Sequence, residues 1–155
     1  MIFTLTLIAA LGSGLIAGTF FAFSTFVVKS LARLAAGEGI AAMQSINLVI
    51  LKSWFMPVFL GMAVLSVLAL AQSLLRWHEP NAVYLLAGGL LYLVGSFLVT
   101  MVFNVPRNIV LDSVKPGDAG SAEKWAGYVE IWTMWNHVRT VASLAAAASF
   151  SMALV

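Results

Sequence analysis

The sequence predicts an all-α fold: a membrane-embedded four-helix bundle with an interfacial helix between spans 1 and 2. Three observations predict it. The 155 residues are 62% hydrophobic and only 9% charged, with a mean hydropathy of +1.01. A soluble domain is usually about a quarter charged, so these few charges would leave a globule unsolvated. Four apolar stretches, about 2–28, 54–75, 82–106 and 131–155, each exceed the ~20 helical residues that cross a hydrocarbon layer. The basic residues flank those stretches rather than interrupting them, Arg139 in the last excepted.

Residues 1–155 are therefore read as a single transmembrane domain. Lys29, Arg33, Lys52, Arg107, Lys115, Lys124 and Arg139 lie in or beside the first and third connections, and only Arg76 belongs to the second. The positive-inside rule puts those two long connections in the cytoplasm and both termini outside, in a plasma (inner) membrane. The net charge of +2 is an orientation signal, and no nucleic-acid partner is expected. No Cys is present, which removes disulfides, iron–sulfur clusters and thiolate zinc sites. The N-terminal stretch lacks a basic start and is too long for a signal-peptide core.

The elements follow in order. Span 1 carries Gly14 and Gly18 at small-xxx-small spacing, which suits close helix packing or a homo-oligomer interface equally. In the first connection, Met43, Ile46, Asn47 and Ile50 fall at i, i+3, i+4 and i+7, the pattern of a helix lying along the bundle end. Arg76–Asn81 is a short turn between spans 2 and 3. Span 3, with Gly88, Gly89, Gly95 and Ser96, ends in Asn104-Val-Pro106-Arg107-Asn108, where Pro106 is expected to end or kink the helix. The third connection holds a Pro116–Gly117 turn. Span 4 carries Ser143, Ala147 and Ser151 as its small residues.

The informative residues are polar ones at membrane depth. Tyr128, Trp132, Trp135 and Arg139 follow one face of the last helix, while Glu130 and His137 share another. A buried charge there faces a partner or snorkels to the surface. With Gln44 and Asn47 from the first connection and Asn104 and Asn108 from span 3, these groups share one membrane side and are expected to converge in one pocket. The aromatic residues suit either a flat ligand or an interfacial belt. Arg139 suits an anion or a headgroup phosphate, and His137 a catalytic base or a satisfied buried imidazole. Ser24 is expected to bond its own helix backbone. No metal site is expected; Glu130 with His137 is the alternative.

Met43-Gln44-x-Ile46-Asn47, Asn104-Val-Pro106-x-Asn108 and Trp132-x-x-Trp135-Asn136-His137-x-Arg139-Thr140 together resemble the anthrone oxygenase-like family of small four-helix membrane proteins, over essentially the whole chain. The resemblance implies an anthrone-type monooxygenase, an oxidoreductase that turns a lipophilic anthrone or phenolic compound into a quinone with dioxygen and no organic cofactor. Set against that chemistry, His137 is the expected base, and Arg139 or Arg107 stabilises the oxyanion. Gln44, Asn47, Asn104, Asn108 and Asn136 hold substrate oxygens, with Trp132 and Trp135 against the rings. The competing reading is a non-catalytic membrane module, a transporter subunit or a lipid- or quinone-binding protein.

Overall fold

Five helices and no strand make up residues 2–155, the part described by a computed structural model. They are α1 (Ile2–Leu31), α2 (Ala36–Leu51), α3 (Phe55–Leu75), α4 (Ala82–Asp112) and α5 (Ser121–Met152). Helices α1, α3 and α4 are each long and apolar enough to cross a membrane, as a membrane protein requires. Helix α5, the longest at 32 residues, falls outside that set. Asn136, His137, Arg139 and the serines at 143, 149 and 151 dilute its apolar character.

The elements run past the expected bounds. Helix α1 continues to Leu31 rather than 28, and α5 starts ten residues before the expected 131 and ends at Met152. At Pro106, where the helix was expected to end or kink, the third long helix does not end. Its residues Leu91–Leu98 and Thr100–Asn104 are wound in π-helical register, and Val105 N–H bonds back to the Thr100 carbonyl. Pro106 then sits in the first turn of the α-helical segment Val105–Asp112, where a missing donor is tolerated. Arg107 Nη1 donates to the Phe103 carbonyl at 2.5 Å, satisfying an acceptor beside the register change.

Helix α5 packs along α1 and against α4; α3 closes the group by packing on α4 and α1. Helix α2 lies across one end, its Met43 and Asn47 buried and Ile46 and Ile50 half-buried, so the face expected from spacing is the inward one. Gln44 Nε2 ties it to the end of α4 through the Leu111 and Val114 carbonyls, both at 2.9 Å. Two clusters fill the core. Ile16, Phe20, Phe59, Met62, Tyr92 and Phe150 lead the one nearer the chain termini, and Val28, Ile40, Met43, Leu111, Trp125 and Trp132 the one beneath α2. The outside stays apolar, with Leu11, Leu15, Val64, Val94, Val141 and Leu144 all exposed, as a lipid-covered surface would be.

Close approach uses only some of the small residues. A Cβ on Gly95 would meet Ala142, and one on Gly88 would meet the Phe150 ring, so α4 and α5 touch through these glycines. Ser143 Oγ donates to Ser96 Oγ at 3.0 Å across the same seam. Gly14 and Gly18 face open space instead. Gly117 and Gly120 have positive φ, 95° and 79°, and turn the chain into α5, a conformation that costs a residue with a Cβ.

Candidate functional site

The centre of the site is Arg139. One helical turn before it on α5, the fully buried Asn136 accepts Arg139 Nη2 on Oδ1 at 2.6 Å. Asn136 Nδ2 in turn donates to the Phe20 carbonyl at 2.7 Å and to Ser24 Oγ at 2.6 Å, locking α5 to α1. Ser24 is therefore an inter-helix partner, not a group bonded to its own backbone as expected. Arg139 Nη1 donates to Thr100 Oγ1 of α4 at 3.2 Å. The guanidinium carbon lies 4.2 Å from the Phe20 ring centroid and 5.1 Å from that of Trp132. The side chain is 4% exposed and every partner is neutral. Among the described residues the one ion pair is Arg76–Glu79, at the far turn.

Arg139 lines a cavity of about 320 Å³, within the range of small-molecule sites. Phe20 and Phe23 of α1, Phe55 and Phe59 of α3, Phe97 of α4 and Trp132 of α5 give it aromatic walls. Its polar lining includes Asn47, Asn108, Thr100 and, at the exposed end of α4, Asp112. Asn108 Oδ1 accepts both Tyr128 Oη and Trp132 Nε1 at 2.9 Å, which fixes the indole against the cavity. Asn47 is 8% exposed and its Nδ2 has no partner. The π-helical stretches of α1 (Phe23–Val27) and α4 supply Phe23, Phe97 and Thr100, so the irregular winding coincides with the cavity wall. Such insertions often sit at functional sites.

The expected convergence holds for some residues and fails for others. Asn47, Asn108, Trp132 and Arg139 share the cavity. Asn136 stands behind Arg139 and positions it. Asn104 is buried just outside, its Nδ2 donating to the Trp132 carbonyl at 3.2 Å. Gln44 clamps backbone, as described above. Trp135 is half-buried and stacks on Phe103, with centroids 3.6 Å apart, away from the cavity.

His137 and Arg107 correct the reading most. Residues two apart on a helix point about 200° apart, so His137 faces out where Arg139 faces in. It is exposed, in a shallow groove with Lys29, Glu130 and Thr133 between α1 and α5. Glu130 shares that groove, but no group of three or more His, Cys, Asp or Glu assembles anywhere among the described residues. Arg107 lines a different groove with Lys124, Val110 and Ile131.

Sequence reasoning missed the phenylalanine walls, Thr100 and Asp112. Phenylalanines in an apolar span carry no signal of their own. Thr100 is a polar group in such a span and was detectable in principle.

The family model of anthrone oxygenase matches residues 51–149, which contain Thr100, Asn108, Trp132, Asn136 and Arg139. The chain belongs to the anthrone oxygenase family. No curated protein and no solved structure matches it. The part matching the anthrone oxygenase family begins at the end of α2, so the walls supplied by α1 and the Asn47 amide lie outside it.

Proposed function

We propose that this chain is an integral membrane oxygenase that converts a lipophilic anthrone or related phenol to a quinone with dioxygen and no organic cofactor. One observation carries the reading: a guanidinium buried among neutral partners at the wall of an aromatic cavity. Membership of the anthrone oxygenase family supports the reaction class, and the cavity supports a flat apolar substrate.

The reaction balances without a further reductant. An anthrone methylene loses a proton to solvent at the cavity mouth, and the electron pair delocalises onto the carbonyl oxygen as an oxyanion. The carbon adds dioxygen, forming a C–O bond, and the peroxide takes up a proton. Loss of water across that carbon yields the second carbonyl, so anthrone and dioxygen give anthraquinone and water. Arg139 serves the first intermediate, because a preformed cation in a dry site favours developing negative charge. The aromatic side chains hold the rings and keep water out. Asn136, Thr100 and Ser24 hold Arg139 still.

In this reading all four long helices span the bilayer as one transmembrane domain, α2 lies at the cytoplasmic interface, and both termini are outside. The basic residues near α2 and the α4–α5 connection support that orientation. Oxygen uptake by the purified protein with an anthrone tests the activity, run with and without chelator. Uptake that survives chelation and falls in Arg139→Gln agrees with the proposal. No uptake with any anthrone or phenol returns the chain to a lipid- or quinone-binding module.

A further inference from the structure

The charges around the cavity are arranged along its depth. Arg139 sits inside, buried, and Asp112 sits at the exposed end of α4. Asp112 is the one carboxylate in the lining. A guanidinium has five N–H donors, of which two are engaged, with Thr100 and Asn136. Its Nε has no partner at all. Aromatic faces offset part of the desolvation of such a cation, but its charge stays uncompensated in a low-dielectric surrounding, where removing one partner of an ion pair is strongly unfavourable.

The hydrogen-bonding groups around this charge are biased the same way. Asn108 Oδ1 is already occupied by two donors, which leaves its NH₂ for the cavity. Asn47 Nδ2 is buried beside the Tyr128 hydroxyl and makes no hydrogen bond. Thr100 Oγ1 donates to the Ser96 carbonyl and accepts from Arg139, so its one proton is already engaged. The interior thus offers a cation and the Asn108 amide donor, while the one carboxylate of the lining stands at the exposed end of α4. Leu48, Leu51 and Ile109 line the same cavity and are exposed, so the approach to it is apolar.

Resting on the reading of this cavity as the substrate site, we infer that it selects a lipophilic monoanion, taken up with its ionised oxygen against Arg139 and its apolar rings toward the mouth. A neutral isostere leaves the guanidinium uncompensated and binds poorly. A dianion puts its second negative charge against Asp112. Ionisation of the ligand is then part of recognition, and the cavity lowers the pH at which the ligand gives up its proton. Among the described residues Asp112 of α4 is the one other charged side chain in the lining, to which α1, α2 and α3 contribute no titratable group; Tyr128 of α5 lies near Arg139 outside the lining.

The test uses the whole protein in detergent with two probes, 2-hydroxyanthraquinone and 2-methoxyanthraquinone. Both are already quinones, so binding is read apart from turnover, and the coloured phenolate reports its own ionisation. With wild type, the phenolate band of bound hydroxy compound is expected at least one pH unit below its midpoint in empty micelles. The methoxy compound is expected to bind at least tenfold more weakly than the phenolate. Arg139→Gln should abolish the shift, Arg139→Lys should keep part of it, and Asp112→Asn should deepen it. Equal binding of the two probes, or a bound hydroxy compound that keeps its micelle midpoint, overturns the inference on wild type alone, whatever the variants' folding. Phenolate binding without oxygen uptake from an anthrone would sink the oxygenase reading and leave this one standing. Uptake with a bound probe that stays neutral would do the reverse.

Discussion

Asn136 and Arg139 act as one unit on a single turn of α5, the carboxamide oxygen of the first holding Nη2 of the second at 2.6 Å. The same carboxamide bonds the Phe20 carbonyl and Ser24 Oγ of α1. The position of the cation is therefore set by the α1–α5 contact.

Asn136→Leu removes that link while keeping side-chain volume. It leaves Ser24 without its donor and Arg139 without an acceptor, and each buried group stranded in this way costs about 1–3 kcal/mol. The expected outcome is a loss of about 2–4 kcal/mol of stability, seen as a lower thermal midpoint in detergent by near-ultraviolet circular dichroism. A midpoint within a degree or two of wild type would show that Asn136 does not join the helices energetically.

Arg139→Gln tests chemistry more than folding, since a glutamine can still bond Asn136 or Thr100. Loss of a preformed charge at a developing oxyanion is worth roughly 10²–10³ in rate. Oxygen consumption with an anthrone is expected to fall by about that factor, with Arg139→Lys between the two. Undiminished uptake in the glutamine variant would remove the cation from the mechanism.

His137→Ala is expected to leave oxygen uptake within about twofold of wild type, because an exposed surface substitution away from a site usually changes little and the imidazole lies outside the cavity. Oxygen-electrode traces of the two proteins side by side decide it. A hundredfold loss would mean that the groove between α1 and α5 belongs to the reaction.

This imidazole illustrates where the sequence was legible. The helices, the inward face of α2 and the polar end of the bundle followed from apolar runs and spacing, because those depend on local periodicity. Arg139, Trp132, Asn108 and Asn47 were identifiable as polar or aromatic groups at membrane depth, and they share the cavity. His137 was drawn in by its neighbours in the string Asn136-His137-x-Arg139, yet helical phase separates it from Arg139 by more than half a turn. Pro106 does not end its helix, and the reason is different. A proline breaks an α-helical ladder, but π-helical register upstream absorbs its missing donor, and nothing in residues 91–104 announces that register.

Asn108→Leu should be worse than either change on its partner side. It strands the Tyr128 hydroxyl and the Trp132 indole N–H together, whereas Tyr128→Phe removes one hydrogen bond and its donor at once. The expected costs are about 2–4 kcal/mol for Asn108→Leu and about 1 kcal/mol for Tyr128→Phe. Trp132 should also loosen in the leucine variant and red-shift its fluorescence. Equal midpoints for both variants would contradict the shared-acceptor arrangement.

The glycines separate packing inside the chain from packing outside it. At Gly95 an added methyl meets Ala142 Cβ, and helix backbones cannot part there without disturbing the nearby Ser96–Ser143 bond. Gly95→Val is therefore expected to cost about 1–3 kcal/mol, the usual penalty of overpacking. Gly14 has nothing within 4 Å, so Gly14→Ala should be neutral, or should gain up to about 1 kcal/mol from helix propensity. Thermal midpoints of the two variants in the same detergent should move in opposite directions or differ clearly. If Gly14→Ala destabilises as much as Gly95→Val, the open face of α1 is covered by a second copy, and light scattering of the alanine variant should then report dissociation.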